Sequence, residues 1–292
     1  MSRPEPSAIR WHEDPDLFRE AVNFTAAQTL FAPRLIEKDY FCTVLLEYLA
    51  ADAALVFKGG TCLAKVHAGF YRLSEDLDFG LPMPLDASRA ERSARAAGLK
   101  KAVAALAGQL PIFRVVQAAT GANSSTQYLA AASYASLLGR QEETIRIEAS
   151  LREPLLTPVR SAPARTLLLD PVSGQALVRP AAVRCISRTE AFAEKFRAAL
   201  SRREAAIRDF YDIDYAVRKL GVQPHEAEMV ALVKQKLAVP GNEPVDVSGP
   251  RLAALRRQLG PQLKPVLRAD DFAQFDLDRA FRTAAEMAAQ VA

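Results

Sequence analysis

Asp76 and Asp78 stand two residues apart near the end of the stretch from Leu55 to Leu81, LVFKGGTCLAKVHAGFYRLSEDLDFGL. In a strand, side chains at i and i+2 leave the same face, so both carboxylates would project together while Leu77 and Phe79 face a core. Two like charges held side by side destabilise each other unless something positive sits between them. Mg²⁺, or Mn²⁺ in its place, is the usual answer, held by one or two carboxylates together with substrate phosphates. Upstream, Gly59 and Gly60 let the backbone turn sharply into a helix. The N–H groups of such a turn, here around Thr61, and the positive end of the helix dipole favour a phosphate. Ser74 lies two residues before Asp76 and would share its face. Arg72 and Lys65 are the neighbouring cations, each with a plain structural reading as a surface arginine and a helix-end lysine. Singly, Gly-Gly is an ordinary strand-to-helix turn and Asp-Leu-Asp a solvated edge strand. In this order and at this distance they read as a phosphate loop followed by a metal-holding pair.

The elements that must position these groups are a short strand over 55–57, a helix from about 61 to 67, and a strand over 74–81. Before them, Leu17, Phe18, Ala21, Val22 and Phe24 recur at helical spacing after Pro15, and Pro33 opens a second helix running through Leu49. Inside that helix Glu37-Lys38-Asp39-Tyr40 interrupts an apolar segment with charge, which physics alone reads as a solvent-facing turn with local ion pairs. After Pro82 and Pro84 a long helix with a solvated charged face is expected over 87–110. Strands follow at 112–119, 127–135 and 144–151, with turns at Asn123-Ser124-Ser125 and Gly139-Arg140-Gln141. In the third strand Ile145 and Ile147 face one way, and Thr144, Arg146 and Glu148 the other. The proline-rich run 152–183 reads as a long connection with short strands that carries a lobe boundary. Ser187 and Glu190 form a capping box for a helix over 191–203, in which Lys195 borders the apolar face of Phe192, Phe196, Ala199 and Leu200. In the next helix, 207–220, Asp209 suits pairing with Lys195 or a nearby arginine, whereas Asp212 and Asp214 read as solvent-facing. The remainder is helical over 224–239, 249–259 and 272–291, with Arg251, Arg256, Arg257, Lys264 and Arg268 forming a basic, solvated face.

The chain has 292 residues, half of them hydrophobic and a quarter charged, which suits a soluble globular protein with room for two cores. Its three cysteines are widely spaced and odd in number, fitting neither a disulfide framework nor a zinc motif, so a reducing cytoplasm is expected. The opening MSRPEPSAIRWHEDPD lacks the apolar centre of a signal peptide, residues 1–13 read as an irregular leader, and no run approaches a membrane span. A net charge of +4 permits a polyanionic partner and decides nothing further.

The series Gly-Gly-Thr, Leu-x-Lys, then Arg-x-Ser-Glu-Asp-Leu-Asp-Phe resembles the signature of the AbiEii/AbiGii/MenT-type nucleotidyltransferase toxins, members of the polymerase-beta-like superfamily. The resemblance covers residues 35–82 and, more loosely, 187–215. It implies an α+β fold, with a nucleotidyltransferase lobe over 1–185 built on a mixed or antiparallel sheet flanked by helices, and a mostly helical lobe over 186–292. It implies that Asp76 and Asp78 are the metal carboxylates and that Gly59 and Gly60 form the triphosphate loop. The superfamily adds a third carboxylate from a neighbouring strand. Glu148 is the best-placed residue for it, and reads equally well as a residue on the wet face of a sheet. Glu194-Lys195-Phe196-Arg197 and Arg208-Asp209-Phe210-Tyr211-Asp212 are similar to later family motifs, which implies that Lys195 contacts the triphosphate and Asp209 helps hold the site together. Glu37 to Tyr40 is a family marker with no role assigned. The implied activity is Mg²⁺-dependent transfer of a nucleotide from a nucleoside triphosphate to the 3′ end of tRNA, blocking its charging. The implied setting is a cytoplasmic toxin whose antitoxin is encoded nearby, with no membrane partner. Two other readings stay open: the same chemistry on a protein or small molecule, and a non-catalytic nucleotide-binding module.

Overall fold

Proline at the first helical position and a capping carboxylate set the start of the fold: Asp14 takes the Leu17 N–H at 3.2 Å and opens α1 (Pro15–Thr29), and Pro33 opens α2 (Pro33–Leu49). The computed structural model describes residues 10–139 and 141–292, so the leader over 1–9 and Arg140 of the expected turn lie outside the described residues. Next come β1 (Val56–Lys58), α3 (Gly59–Cys62), a π-helical turn (Leu63–His67) and β2 (Leu77–Gly80). The expected strand over 74–81 is therefore shorter, and Ser74 and Asp76 lie in the segment that leads into it. The expected long helix breaks at Ala96 into α4 (Arg89–Arg95), opened by a complete Ser88–Glu91 capping box, and α5 (Ala97–Gln109). Then β3 (Arg114–Ala122), β4 (Gln127–Ala135) and β5 (Glu142–Ser150) form a meander, the first turn held by positive φ at Asn123, Ser124 and Ser125. The prolines of the connection frame β6 (Arg160–Ala164) and β7 (Ala181–Cys185).

Among the described residues seven strands join one mixed sheet in the order β3-β4-β5-β2-β1-β7-β6. β2 is antiparallel to β1 and parallel to β5, and β1 is parallel to β7. Leu77, Phe79, Ile147 and Ala149 alternate inward and are buried. Residues up to 155 together with 159–185 make up this unit.

One expectation fails outright here. Glu37, Lys38, Asp39 and Tyr40 are all buried within α2 rather than solvent-facing. The helix is covered on almost every side, so charge inside it persists only where it is paired. Glu37 accepts from Ser136 Oγ at 2.7 Å and Leu137 N at 2.6 Å. Asp39 accepts from Lys65 Nζ at 2.6 Å, Thr166 Oγ1 at 2.8 Å and Leu167 N at 3.0 Å. The Tyr40 hydroxyl meets His12 Nδ1 at 2.8 Å.

Residues 156–158 and 186–292 form the second unit, with α6 (Arg188–Ser201), α7 (Ile207–Leu220), α8 (Ala227–Leu237), α9 (Gly249–Gln258), α10 (Ala269–Gln274) and α11 (Leu277–Val291). Ser187 caps α6, but the Glu190 carboxylate does not complete the box. It takes the N–H groups of Leu156 and Thr157 at 2.9 and 2.8 Å and pairs with Lys236 at 2.7 Å. Asp212 and Asp214 are buried, not solvent-facing: α11 packs on α7 and brings Arg279 to within 2.6 Å of Asp214, while Lys195 lies 2.8 Å from Asp212. Arg251 likewise leaves the basic face for the interior, where it donates to the Ala199 and Arg202 carbonyls at 2.8 and 3.1 Å. Among the described residues no helix is long and apolar enough to cross a membrane.

Candidate active site

The glycine turn is a contact surface for the acidic strand. Gly59 has φ +74°, and a Cβ there would lie 2.1 Å from Asp78 Oδ2, so the Asp78 carboxylate rests directly on the Gly59 backbone. At Gly60 a Cβ would meet Arg72 Nη2 at 2.6 Å and Ser74 Oγ at 3.2 Å. Glycine at 59 is thus required twice, for conformation and for space, whereas a side chain at 60 would have to displace the end of the Arg72 guanidinium. Thr61 closes the arrangement by donating its hydroxyl to the Asp76 carbonyl. The turn therefore brings together Asp76, Asp78, Arg72 and Ser74, residues that follow it by more than one helical turn of chain.

Strand register adds to this group. Asp78 stands opposite Lys58 on β1 and beside Glu148 on β5. Residues paired in register project to the same face, so Lys58, Asp78 and Glu148 form a row across three strands. All three are half-buried, between inward-facing Leu77 and Phe79 on β2 and Ile147 and Ala149 on β5. The three acids expected to share a metal, Asp76, Asp78 and Glu148, do not close to within 4.8 Å of one another, the spacing that Cys62, His67 and Cys185 do reach. Carboxylate oxygens are the donor type that a small hard cation takes, and the glycine turn beside Asp78 leaves no room for a side chain at Gly59.

A second group of charges fixes the segment before Asp76. Glu75 pairs with Arg34 at 3.0 Å and Lys38 at 3.2 Å, and Glu143 with the same two cations at 2.5 and 3.5 Å. The Cys42 thiol lies 3.7 Å from the Glu75 carbonyl. Burial pushes the Glu75 carboxyl upward, but Lys38 and then Arg34 more than offset it, and the group lies below its ordinary range. Lys65, expected among the nucleotide-binding residues, is fully buried and spends its ammonium on Asp39 at 2.6 Å and Thr43 Oγ1 at 2.7 Å. That geometry is a core ion pair. Arg72 is also buried, against the Tyr71 ring at 5.6 Å and the Leu73 carbonyl at 3.3 Å, with its guanidinium on Gly60.

In the second unit Lys195 sits 2.8 Å from both Asp209 and Asp212, and Arg202 reaches the other Asp209 oxygen at 3.1 Å. Both pairings considered for Asp209 are therefore present together.

Sequence reasoning overlooked Lys58 and the Arg34–Lys38–Glu75–Glu143 network. Lys58 had a visible signal, since it immediately precedes Gly59 at the end of a strand. The network was marked only at Lys38, inside the Glu37–Tyr40 stretch; Lys38 shares α2 with Arg34, but Glu75 and Glu143 come from other elements.

A mixed sheet carrying an acidic row against a glycine turn is the arrangement that the resemblance to the nucleotidyltransferase toxins implied. The profile of the family described as nucleotidyl transferase AbiEii toxin, type IV toxin–antitoxin system, matches residues 45–289, and the chain belongs to that family. Among solved structures, JHP933 from Helicobacter pylori is 16% identical with a TM-score of 0.50, covering 89% of this chain and 93% of its own. A second H. pylori protein, described as a candidate nucleotidyltransferase, is 15% identical with a TM-score of 0.51, over 89% and 96%. MenT4, a nucleotidyltransferase toxin of Mycobacterium tuberculosis, is 17% identical with a TM-score of 0.48, over 92% and 97%. The fold likeness is carried by the two H. pylori structures. No curated protein gives a significant match.

Proposed function

We propose that this nucleotidyltransferase toxin uses Mg²⁺, or Mn²⁺, to transfer a nucleotide from a nucleoside triphosphate to the 3′ end of tRNA, so that the tRNA can no longer be aminoacylated. The observation that carries the reading is the Asp78 carboxylate seated on Gly59 and in register with Glu148. Asp76, Asp78 and Glu148 would hold the cation. What a bound cation supplies there is charge compensation on the phosphates and a more acidic acceptor hydroxyl. The N–H groups around Gly59, Gly60 and Thr61 would hold the β- and γ-phosphates, and the Arg72 guanidinium and Ser74 hydroxyl on Gly60 would neutralise and orient them. The acceptor hydroxyl gives up its proton to solvent as its oxygen bonds to the α-phosphorus, the bond from that phosphorus to the α,β-bridging oxygen breaks, and pyrophosphate leaves. Lys58, beside Asp78, would limit repulsion along the acidic row. The type IV family description supports an antitoxin partner, which we expect to be encoded by a neighbouring gene and to act in the cytoplasm.

The test is to incubate the full chain with each labelled ribonucleoside triphosphate in the presence of total RNA or total protein. Label should enter RNA of tRNA size, and Asp76→Ala or Asp78→Ala should abolish both transfer and growth arrest on expression. Label in the protein fraction would move the acceptor to a protein. Nucleotide binding without transfer, together with arrest by Asp78→Ala, would leave only a binding module.

A further inference from the structure

Cys62, His67 and Cys185 meet at a single point: their two Sγ atoms and an imidazole nitrogen all lie within 4.8 Å of one another. The three come from different parts of the sheet unit. Cys62 ends α3, His67 ends the π-helical turn, and Cys185 ends β7, in register with Phe57 on the strand that leads into Gly59. In a regular α-helix a residue five positions on points about 140° away, so Cys62 and His67 would diverge. The turn between them is wound more widely, with the Ala68 N–H on the Leu63 carbonyl at 2.7 Å, and this i→i+5 closure carries His67 back toward the Cys62 side. Such π segments recur at functional sites. Both cysteines are buried and His67 is half-buried.

The donor set is sulfur and nitrogen, without a carboxylate, and it differs in kind from the oxygen set at Asp76 and Asp78. Thiolate and imidazole select zinc-like cations over magnesium. We propose that Cys62, His67 and Cys185 form a binding site for a thiophilic divalent cation of the zinc class, with three protein ligands and water in the fourth position. Binding forms two sulfur–metal bonds and one nitrogen–metal bond, and the thiol protons pass to solvent. Its structural consequence is a clamp joining β7 to the residue directly after Thr61, behind the glycine turn in sequence. The site stands whether or not the nucleotidyl-transfer reading holds.

Cobalt(II) titration of the full chain, reduced and stripped with chelator, tests it. We expect thiolate-to-cobalt absorption in the near ultraviolet that saturates at one equivalent, is displaced by Zn²⁺, and is unchanged by excess Mg²⁺. Cys62→Ser and Cys185→Ser should each abolish it, and Cys42→Ser should leave it intact. His67→Asn, at a half-buried position where folding is least at risk, should weaken binding by at least roughly tenfold, the scale on which even a ligand's hydrogen-bonding partner matters. The proposal is overturned if the reduced wild-type chain, with its thiols verified, shows no such absorption and retains no zinc at equimolar metal. It is equally overturned if binding survives in folded Cys62→Ser or Cys185→Ser, or if mild oxidation consumes the two thiols together in a protein that takes up no metal.

Discussion

Gly59 and Lys65 sit a few residues apart and fail in opposite ways when replaced. A methyl group at Gly59 would land on Asp78 Oδ2 in a backbone conformation with φ +74°. Backbone strain there costs about 1–3 kcal/mol. Because misplacing a reacting group by about 1 Å can cost on the order of a hundredfold, Gly59→Ala should lower nucleotide transfer by that much or more in protein that remains folded by circular dichroism. Lys65→Met should do the reverse. It removes the cation from Asp39, itself 2% exposed, and breaking a buried pair costs about 3–5 kcal/mol. We expect a urea midpoint well below wild type, with transfer per folded molecule largely retained. A transfer defect in Lys65→Met without loss of stability would return this lysine to the phosphates.

At the scale of elements, α2 shows what sequence patterning conveys and what it hides. Its start at Pro33 and its extent were legible because both are local properties. The burial of Glu37, Lys38 and Asp39 was not, because the groups that pair with them lie on the meander, on the π-helical turn and in the connection near Thr166. The same distinction separates the glycine turn and Asp78, visible as one short motif, from the Asp78–Glu148 register, which is set by a parallel pairing between distant strands. α2 also makes the fold pH-sensitive through Glu75. Its carboxyl is depressed in the folded state by Lys38 and Arg34, so its contribution is complete above the unfolded value of about 4.3 and is lost as pH falls through the lower folded value. Glu75→Gln should therefore be less stable than wild type by a constant margin from pH 7 to 5, and the margin should shrink in more acid solution. Denaturant titrations across that range measure it. A margin that persists unchanged at pH 3 would mean that packing, not charge, links this segment to α2.

Across the whole molecule, buried charge recurs as the device that joins elements which hydrophobic patterning alone would leave adjustable. In the sheet unit it is Lys38 with Glu75 and Glu143, which the exposed Arg34 also reaches; in the helical unit it is Lys236 with Glu190 and Glu194, Arg279 with Asp214, and Lys195 with Asp209 and Asp212. Helix amphipathicity made the second unit legible as helices, and the pairing of Lys195 on α6 with Asp209 on α7 was legible too, but the burial of Asp212 and Asp214 was not, since an aspartate on a helix looks the same in sequence whether it faces water or a lysine. Lys195 is 12% exposed, and its carboxylate partners are 5% and 0% exposed. Lys195→Met takes one cation from two buried acids, and Arg202 can still answer Asp209. The cost lies within the same range of about 3–5 kcal/mol for a broken buried pair. Hydrogen exchange should quicken along α6 and α7 by the corresponding factor, and Asp212→Asn added to Lys195→Met should recover part of the protection. If the single change leaves exchange in both helices untouched, this lysine is not what joins them, and its conformation must answer to some other demand.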